Sequence, residues 1–237
     1  MIVSNVDWKE YCKVNPDINI LISELEKTIC DIDCKNLSYS GGIDSTIILY
    51  IMHKLFGKSI RTFTIAKSYD HPDYIAGRKI TSMLDVEWNG LIIDQDNEYD
   101  IDGNYIVKQF YKKLVDFGIT SIVACDGIDE YMGGYYDHMH NPSLETYYHY
   151  LSELVDKHLT PLDKNSGNIS VYLPYLSPNL VTLYNNYEFS FRFDKNSRKK
   201  LIFAIAKKMG IPNDVIDRRK YGFCDANKIK CGELRKR

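Results

Sequence analysis

Residues 36–50 read NLSYSGGIDSTIILY. A Ser-Gly-Gly-x-Asp-Ser turn, Ser40 to Ser45, lies between two apolar runs. The run before it reads as a strand over 36–40, and the run after it as a helix over 43–56 stopped by Gly57. Such a turn lies beyond the carboxyl end of its strand, where parallel sheets bind ligands. Gly41 and Gly42 let the backbone take unusual φ values and bring N–H groups close to an anion. The following helix adds its positive end, and the Ser40 and Ser45 hydroxyls can donate to phosphate oxygens. Asp44 is the odd member, because a carboxylate repels phosphate unless a cation such as Mg2+ stands between them. A tight strand-to-helix turn capped by Ser or Asp is the plainer alternative. The turn matches neither the G-x-x-x-x-G-K-[ST] loop nor the G-x-G-x-x-G fingerprint.

Working outward, short apolar runs and helical periodicity alternate. Residues 18–29 read as a helix opened by Asp17, and SIRTFTI at 59–65 as a strand. Residues 72–84 read as a helix with Pro72 in its first turn, and 86–93 as a strand. A helix over 104–117 closes on Gly118, and ITSIVAC at 119–125 is a fourth strand. Four strand–helix alternations with short connections predict an α/β fold, a parallel sheet with helices on both faces. Past about residue 140 the pattern becomes mostly helical, over 143–159 with Ser143 as N-cap, 178–187 and 197–209, with a short VYL at 171–173. The expected organisation is an N-terminal helical segment over 1–35, an α/β core over 36–140 and a helical C-terminal part over 141–237.

Composition sets bounds on partners. The chain has 237 residues, 44% hydrophobic and 26% charged, with a net charge of −2. That is a globular profile, and the charge balance speaks against a polyanion such as nucleic acid. No run of 18 apolar residues suggests a membrane span. Cysteines at 12, 30, 34, 125, 224 and 231 form no C-x-x-C pair, which argues against a zinc cluster. The opening MIVSNVDWKEYCK lacks a basic-then-apolar leader pattern, so a reducing cytoplasm is expected.

A second constellation follows the fourth strand. Residues 122–136 read IVACDGIDEYMGGYY, gathering Asp126, Asp129 and Glu130 among Gly127, Gly133 and Gly134. Alone it reads equally as a solvated acidic turn. Beside SGGIDS it offers a second carboxylate at the same sheet edge, and Asp44 with Asp129 is the natural metal-holding pair.

SGGIDS resembles the pyrophosphate-binding loop of the N-type ATP pyrophosphatases, the PP-loop enzymes. Within them, CDGIDEYMGGY (125–135) resembles the G-E-G-x-D-E segment of the synthetase domains of asparagine synthetase and β-lactam synthetase. The resemblance spans roughly residues 36–225 and implies an adenine nucleotide α-hydrolase-like fold. It implies that Ser38, Ser40, Gly41, Gly42, Asp44, Ser45, Ile65, Cys125 and Gly127 bind ATP and its pyrophosphate. It places Mg2+ on Asp44 and Asp129, and the group facing the reacting adenylate at Asp126, one methylene shorter than the family's glutamate. Cys125 replaces a family glycine. YLPYLSPNLVTL (172–183) is similar to the family's P-F-L-D segment, with Ser177 for Asp. NSRKKLIFAIAKKMGIPNDVIDRRKYGF (196–223) is similar to its closing K-x-x-L-R to K-x-G-F stretch, which assigns charge neutralisation on the phosphates to Lys220.

The implied activity is an ATP-dependent, AMP-forming ligase. It would adenylate a small-molecule carboxylate and transfer it to ammonia or an amine, with ATP and Mg2+ as cofactors. Residue 2 is Ile and about 35 residues precede the first strand, which leaves no place for a glutaminase domain. Nitrogen is therefore expected from free ammonia, another amine or a separate amidotransferase, and a homo-oligomer partner is a further way to complete the site. Two alternatives remain at this stage: a PP-loop enzyme modifying tRNA or a nucleobase, and a non-catalytic nucleotide-binding subunit of an amidotransferase complex. Other features read as structural. DQDNEYDID at 94–102 lacks the glycine and glutamate of a calcium loop. His138 and His140 are expected in a surface loop, the six tyrosines between 131 and 150 as residues that pack or line a pocket, and Arg218 and Arg219 as a surface basic cluster.

Overall fold

The computed structural model describes residues 15–93 and 104–218. Five parallel strands form one sheet: β1 (Asn36–Ser38), β2 (Arg61–Ala66), β3 (Glu87–Ile92), β4 (Ser121–Val123) and β5 (Ser170–Tyr172), in the order β3-β2-β1-β4-β5. Leu37 registers with Thr62 on one side and Val123 on the other. The chain builds outward from β1 to β3, then returns to place β4 on the opposite flank. That reversal between β1 and β4 is the switch point at which open parallel sheets leave a crevice. The segments after these two strands, SGGIDS and CDGIDE, both leave from the same edge there.

Helices cover both faces. Adjacent residues Ile122 and Val123 belong to different core clusters, as the period-two alternation of a strand requires. On one face Leu37 and Val123 pack with α1 (Ile18–Ile32), α2 (Ile43–Phe56) and residues of α3 (Pro72–Leu84). On the other, Phe63, Ile65 and Ile122 pack with α4 (Asn104–Asp116). α2 is buried nearly all round from Ile43 to Met52, and apolar beyond its polar first turn, because it lies between the sheet and other helices.

The α/β half follows the sequence expectation closely, and α3 spans the expected 72–84. Asp17 caps α1, accepting from Asn19 N at 2.8 Å. The second half departs from it in three places. Residues 128–132 and 136–140 form two five-residue helices, α5 (Ile128–Met132) and α6 (Tyr136–His140), too short to show a periodicity. Ser143 does cap α7 (Leu144–Glu153), accepting from Thr146 N at 3.1 Å, but the helical path does not stop at 159. It passes through a π turn over 154–159 into α8 (Thr160–Ser166). Pro161 lacks an N–H to continue the regular ladder, and a widened turn absorbs the mismatch. The third departure is at 178–187 and 197–209, which shorten to α9 (Pro178–Asn185) and α10 (Lys200–Lys208), with a final turn α11 (Asn213–Ile216). The segment DQDNEYDID lies outside the described residues.

Candidate active site

The first loop is fixed from below. Tyr39 is buried, donates its N–H to Phe63 O at 2.8 Å and accepts from the Thr64 hydroxyl at 2.7 Å. Its phenol meets the Thr46 hydroxyl at 3.1 Å. Gly41 adopts φ +66°, and a β-carbon there would lie 3.0 Å from Gly77 N and 3.1 Å from Asp73 O. Glycine thus lets the turn rest directly on α3. Gly42 caps α2 without any side-chain hydrogen bond, so the helix's first N–H groups are not covered by a cap. Ser40 Oγ lies 3.0 Å from Ser45 Oγ and accepts from Gly42 N at 3.3 Å. Ser38 ends β1 and is half-buried; Gly41, Gly42, Asp44 and Ser45 are buried.

Arg218 holds the same loop from above. It donates to Gly41 O at 2.7 Å and to Asp73 Oδ1 at 2.5 Å. Its side chain is only 18% exposed. The surface-cluster expectation for Arg218 is therefore corrected: a guanidinium with several donors ties a loop carbonyl to an acidic helix start, which sequence proximity to Arg219 did not suggest.

The second loop delivers its carboxylates in two directions. Cys125 is half-buried beside the first core cluster. Asp126 is half-buried and faces Tyr111 of α4; burial, with the Asp126 charge added, pushes the Tyr111 phenol above its ordinary range. Gly127 opens α5 at φ +86° with Leu176 packed where a side chain would stand. Asp129, one turn on, points instead toward Asp44.

Between Asp44 and Asp129 stands Lys199. Its Nζ lies 2.7 Å from Asp44 Oδ2 and is paired equally with Asp129 Oδ1. The Asp44 side chain is 1% exposed, Lys199 9% and Asp129 29%. The two carboxylates singled out from separate loops thus converge on one cation. Lys199 was not among the residues singled out from sequence. It is the N-cap of α10 with a left-handed backbone, φ +51°, which is uncommon for a residue with a long side chain. Two flanking devices hold the trio: Tyr175 donates to Asp44 O at 2.9 Å, and Arg198 donates to Gly134 O. The donor set fits Mg2+, since two carboxylate oxygens already share a single positive point, and this metal takes one or two protein carboxylates with substrate phosphates completing its shell. Among the described residues no group of three or more His, Cys, Asp or Glu side chains could hold a metal by itself.

Behind Asp129 lies a buried polar layer. Glu130 is 2% exposed and accepts from the Tyr135 hydroxyl at 2.6 Å, with His158 Nε2 at 3.5 Å. Burial raises its carboxyl above the usual range. His138 is fully buried, a correction to the surface-loop expectation. Its Nδ1 accepts from Tyr135 N at 3.2 Å, and its ring packs against Tyr150 and Phe193. Burial lowers its pKa, which favours the neutral ring. His140 is exposed, as expected, but it ends α6 rather than lying in a loop.

The remaining sequence candidates fall as follows. Ile65 is buried in the second core cluster near the carboxyl end of β2. Ser177 caps α9, accepting from Leu180 N at 3.5 Å. Lys220 and Arg219 lie outside the described residues.

An open parallel sheet with a glycine-rich turn at its switch point and acidic side chains from two loops places a candidate ligand site in the crevice between β1 and β4. Residues 38–152, just under half the chain, match the asparagine synthase family, and that segment holds both loops of the site. No curated protein matches the chain. Among solved structures, the NH3-dependent NAD synthetase from Campylobacter jejuni is similar at 11% identity and TM-score 0.46, over 90% of this chain and 77% of that one. NMN synthetase from Francisella tularensis is similar at 14% identity and TM-score 0.48, over 93% and 78%. Among the described residues no helix is long and apolar enough to cross a membrane.

Proposed function

We propose that the protein is an ATP-dependent, AMP-forming ligase that activates a small-molecule carboxylate as its adenylate and passes the acyl group to ammonia or an amine. The observation that carries the reading is the meeting of Asp44 and Asp129 on a single cation, Lys199 Nζ. The motif match to the asparagine synthase family supports the amide-forming branch over other PP-loop chemistries.

In this reading the Gly41–Gly42 turn and the start of α2 take the β- and γ-phosphates with backbone N–H groups. Asp44 and Asp129 would hold Mg2+, which would supply positive charge against the departing pyrophosphate. The sequence resemblance assigns a second positive charge on the phosphates to Lys220. A carboxylate oxygen of the substrate attacks the α-phosphorus, and pyrophosphate leaves. The amine then attacks the acyl carbon and AMP leaves with the former carboxylate oxygen. Asp126 lies on the α4 side, suited to accept the amine's proton. Catalysis is mainly positioning and electrostatics. Residues 36–140 supply both loops, and 141–237 supply Lys199, Arg218 and Lys220 from the later part of the chain.

The test is pyrophosphate release from ATP with Mg2+ and a panel of carboxylates, with and without ammonia. Carboxylate-dependent pyrophosphate and AMP are expected. Release that requires tRNA, or nucleotide binding with no turnover at all, would overturn the ligase reading.

A further inference from the structure

We infer that Lys199 is an internal place-holder for the divalent cation, occupying the metal position in the nucleotide-free protein and leaving it when metal enters. The inference rests on the reading of Asp44 and Asp129 as metal ligands, and goes beyond it in giving Lys199 a part in when metal binds. Three observations carry it. The ammonium lies at hydrogen-bonding distance from Asp44 Oδ2, 2.7 Å, and is paired with Asp129 Oδ1 as well. A magnesium ion needs its oxygens at about 2.0–2.1 Å from one central point. Two cations cannot share that point, so the ammonium must move out.

The second observation is the cost of keeping it there. Among the described residues only Asp33, Asp85 and Lys199 have positive φ without being glycine. Asp33 and Asp85 are helix C-caps, where the left-handed conformation is routine. Lys199 instead begins a helix, and such a backbone persists where surrounding contacts over-determine it. Its two ion pairs supply that compensation. The third observation is the absence, among the described residues, of a larger acidic cluster that would hold metal unaided. Free metal therefore has to displace a resident ammonium for two carboxylates, whereas metal arriving with nucleotide brings phosphate oxygens that complete its shell. Lys199 makes metal entry depend on nucleotide.

The experiment titrates Mn2+ into the full chain without nucleotide and follows loss of the free Mn2+ electron paramagnetic resonance signal. Wild type is expected to bind weakly. Lys199→Met, which deletes one positive charge from the shared point, is expected to bind at least ~10-fold more tightly, and adding Asp44→Asn to it should abolish the gain. Should Lys199→Met be unfolded in chelator, circular dichroism with and without Mg2+ takes over, and recovery of the folded signal by Mg2+ is expected. A folded Lys199→Met that binds Mn2+ no better than wild type overturns the proposal, as does an unfolded one that Mg2+ fails to rescue. Pyrophosphate release by the wild type reports separately on the ligase reading, so either can fail alone.

Discussion

Gly134 lies so close to Asp129 that a β-carbon on it would overlap the carboxylate oxygen Oδ1, and would stand 2.6 Å from Lys199 Cε. The glycine is what lets the carboxylate and the lysine meet. Gly134→Ala should therefore displace the Asp129–Lys199 pair rather than merely crowd a surface turn. Overpacking of this kind costs about 1–3 kcal/mol. The expected outcome is a modest fall in urea midpoint with a disproportionate loss of pyrophosphate release, about 10-fold or more, because misplacing a ligand by an ångström is costly to rate. Wild-type turnover in this variant would show that Asp129 keeps its working position without a bare glycine at residue 134.

Arg218 ties Gly41 O to Asp73 Oδ1 across the loop. Arg218→Ala leaves a buried carboxylate and a loop carbonyl short of a charged donor, a loss of about 1–3 kcal/mol. If the Gly41 turn cradles phosphate, KM for ATP should rise more than kcat falls. Lys79→Ala provides the contrast. It breaks an ion pair with Asp214 in which both side chains are more than half exposed, and the urea midpoint should hardly move. Equal effects from the two variants would mean that Arg218 is no more than a surface cation.

What the sequence could show of this site depended on how local each relationship is. SGGIDS and the carboxylates Asp44 and Asp129 were legible because each sits in a short glycine-marked turn, and parallel topology then brings both turns to one edge. Lys199 was not legible as the third member. It belongs to a basic run, NSRKK, in which several cations look alike, and only the left-handed backbone at residue 199 aims this one inward. His138 was misread because YYDHMHN is polar and its helix is five residues long. The rings that bury it, Tyr147, Tyr150 and Phe193, arrive from later segments. The strand order was legible only as a class, since the flank on which β4 lies depends on which faces α3 and α4 cover.

Glu130 gives the protein a pH signature. Its folded pKa is raised above the ordinary 4.5, chiefly by burial, with Asp129 adding and the Tyr135 hydrogen bond opposing. The folded state therefore holds a proton that the unfolded chain releases between the two values. This group costs nothing below the unfolded pKa; stability falls as pH climbs through the window and stays reduced above it. Glu130→Gln keeps an acceptor for the Tyr135 hydroxyl and removes the titration. The variant should gain on the wild type as pH is raised from about 4 to about 7, read as the difference in urea midpoints. His138, whose pKa burial lowers, acts with the opposite sign, favouring the folded state as pH rises past the unfolded imidazole value. It is present in both proteins, so the difference between them reports on Glu130. A constant difference across that range would refute the raised carboxyl.

The two carboxylates on Lys199 should differ in what they do for stability while sharing a role in activity. Asp44 is 1% exposed and Asp129 29%, and both meet the same ammonium. Asp44→Ala removes the deeper partner and leaves the nearly buried Lys199 leaning on a carboxylate open to water. Breaking a buried pair in this way costs about 3–5 kcal/mol. Asp129→Ala leaves the ammonium with its buried partner and should cost about 1 kcal/mol or less, because a partly exposed pair is screened. If both residues hold the metal against pyrophosphate, each variant should lose about 100-fold or more in pyrophosphate release regardless of that difference. Urea unfolding in chelator gives the stability pair, and single-turnover pyrophosphate release gives the activity pair. Equal destabilisation would remove the burial argument, and retained turnover in either variant would remove that carboxylate from the metal site. With Lys199→Met added to each, the double-mutant cycle should show the larger coupling energy for Asp44, because its interaction with the ammonium is the one shielded from solvent.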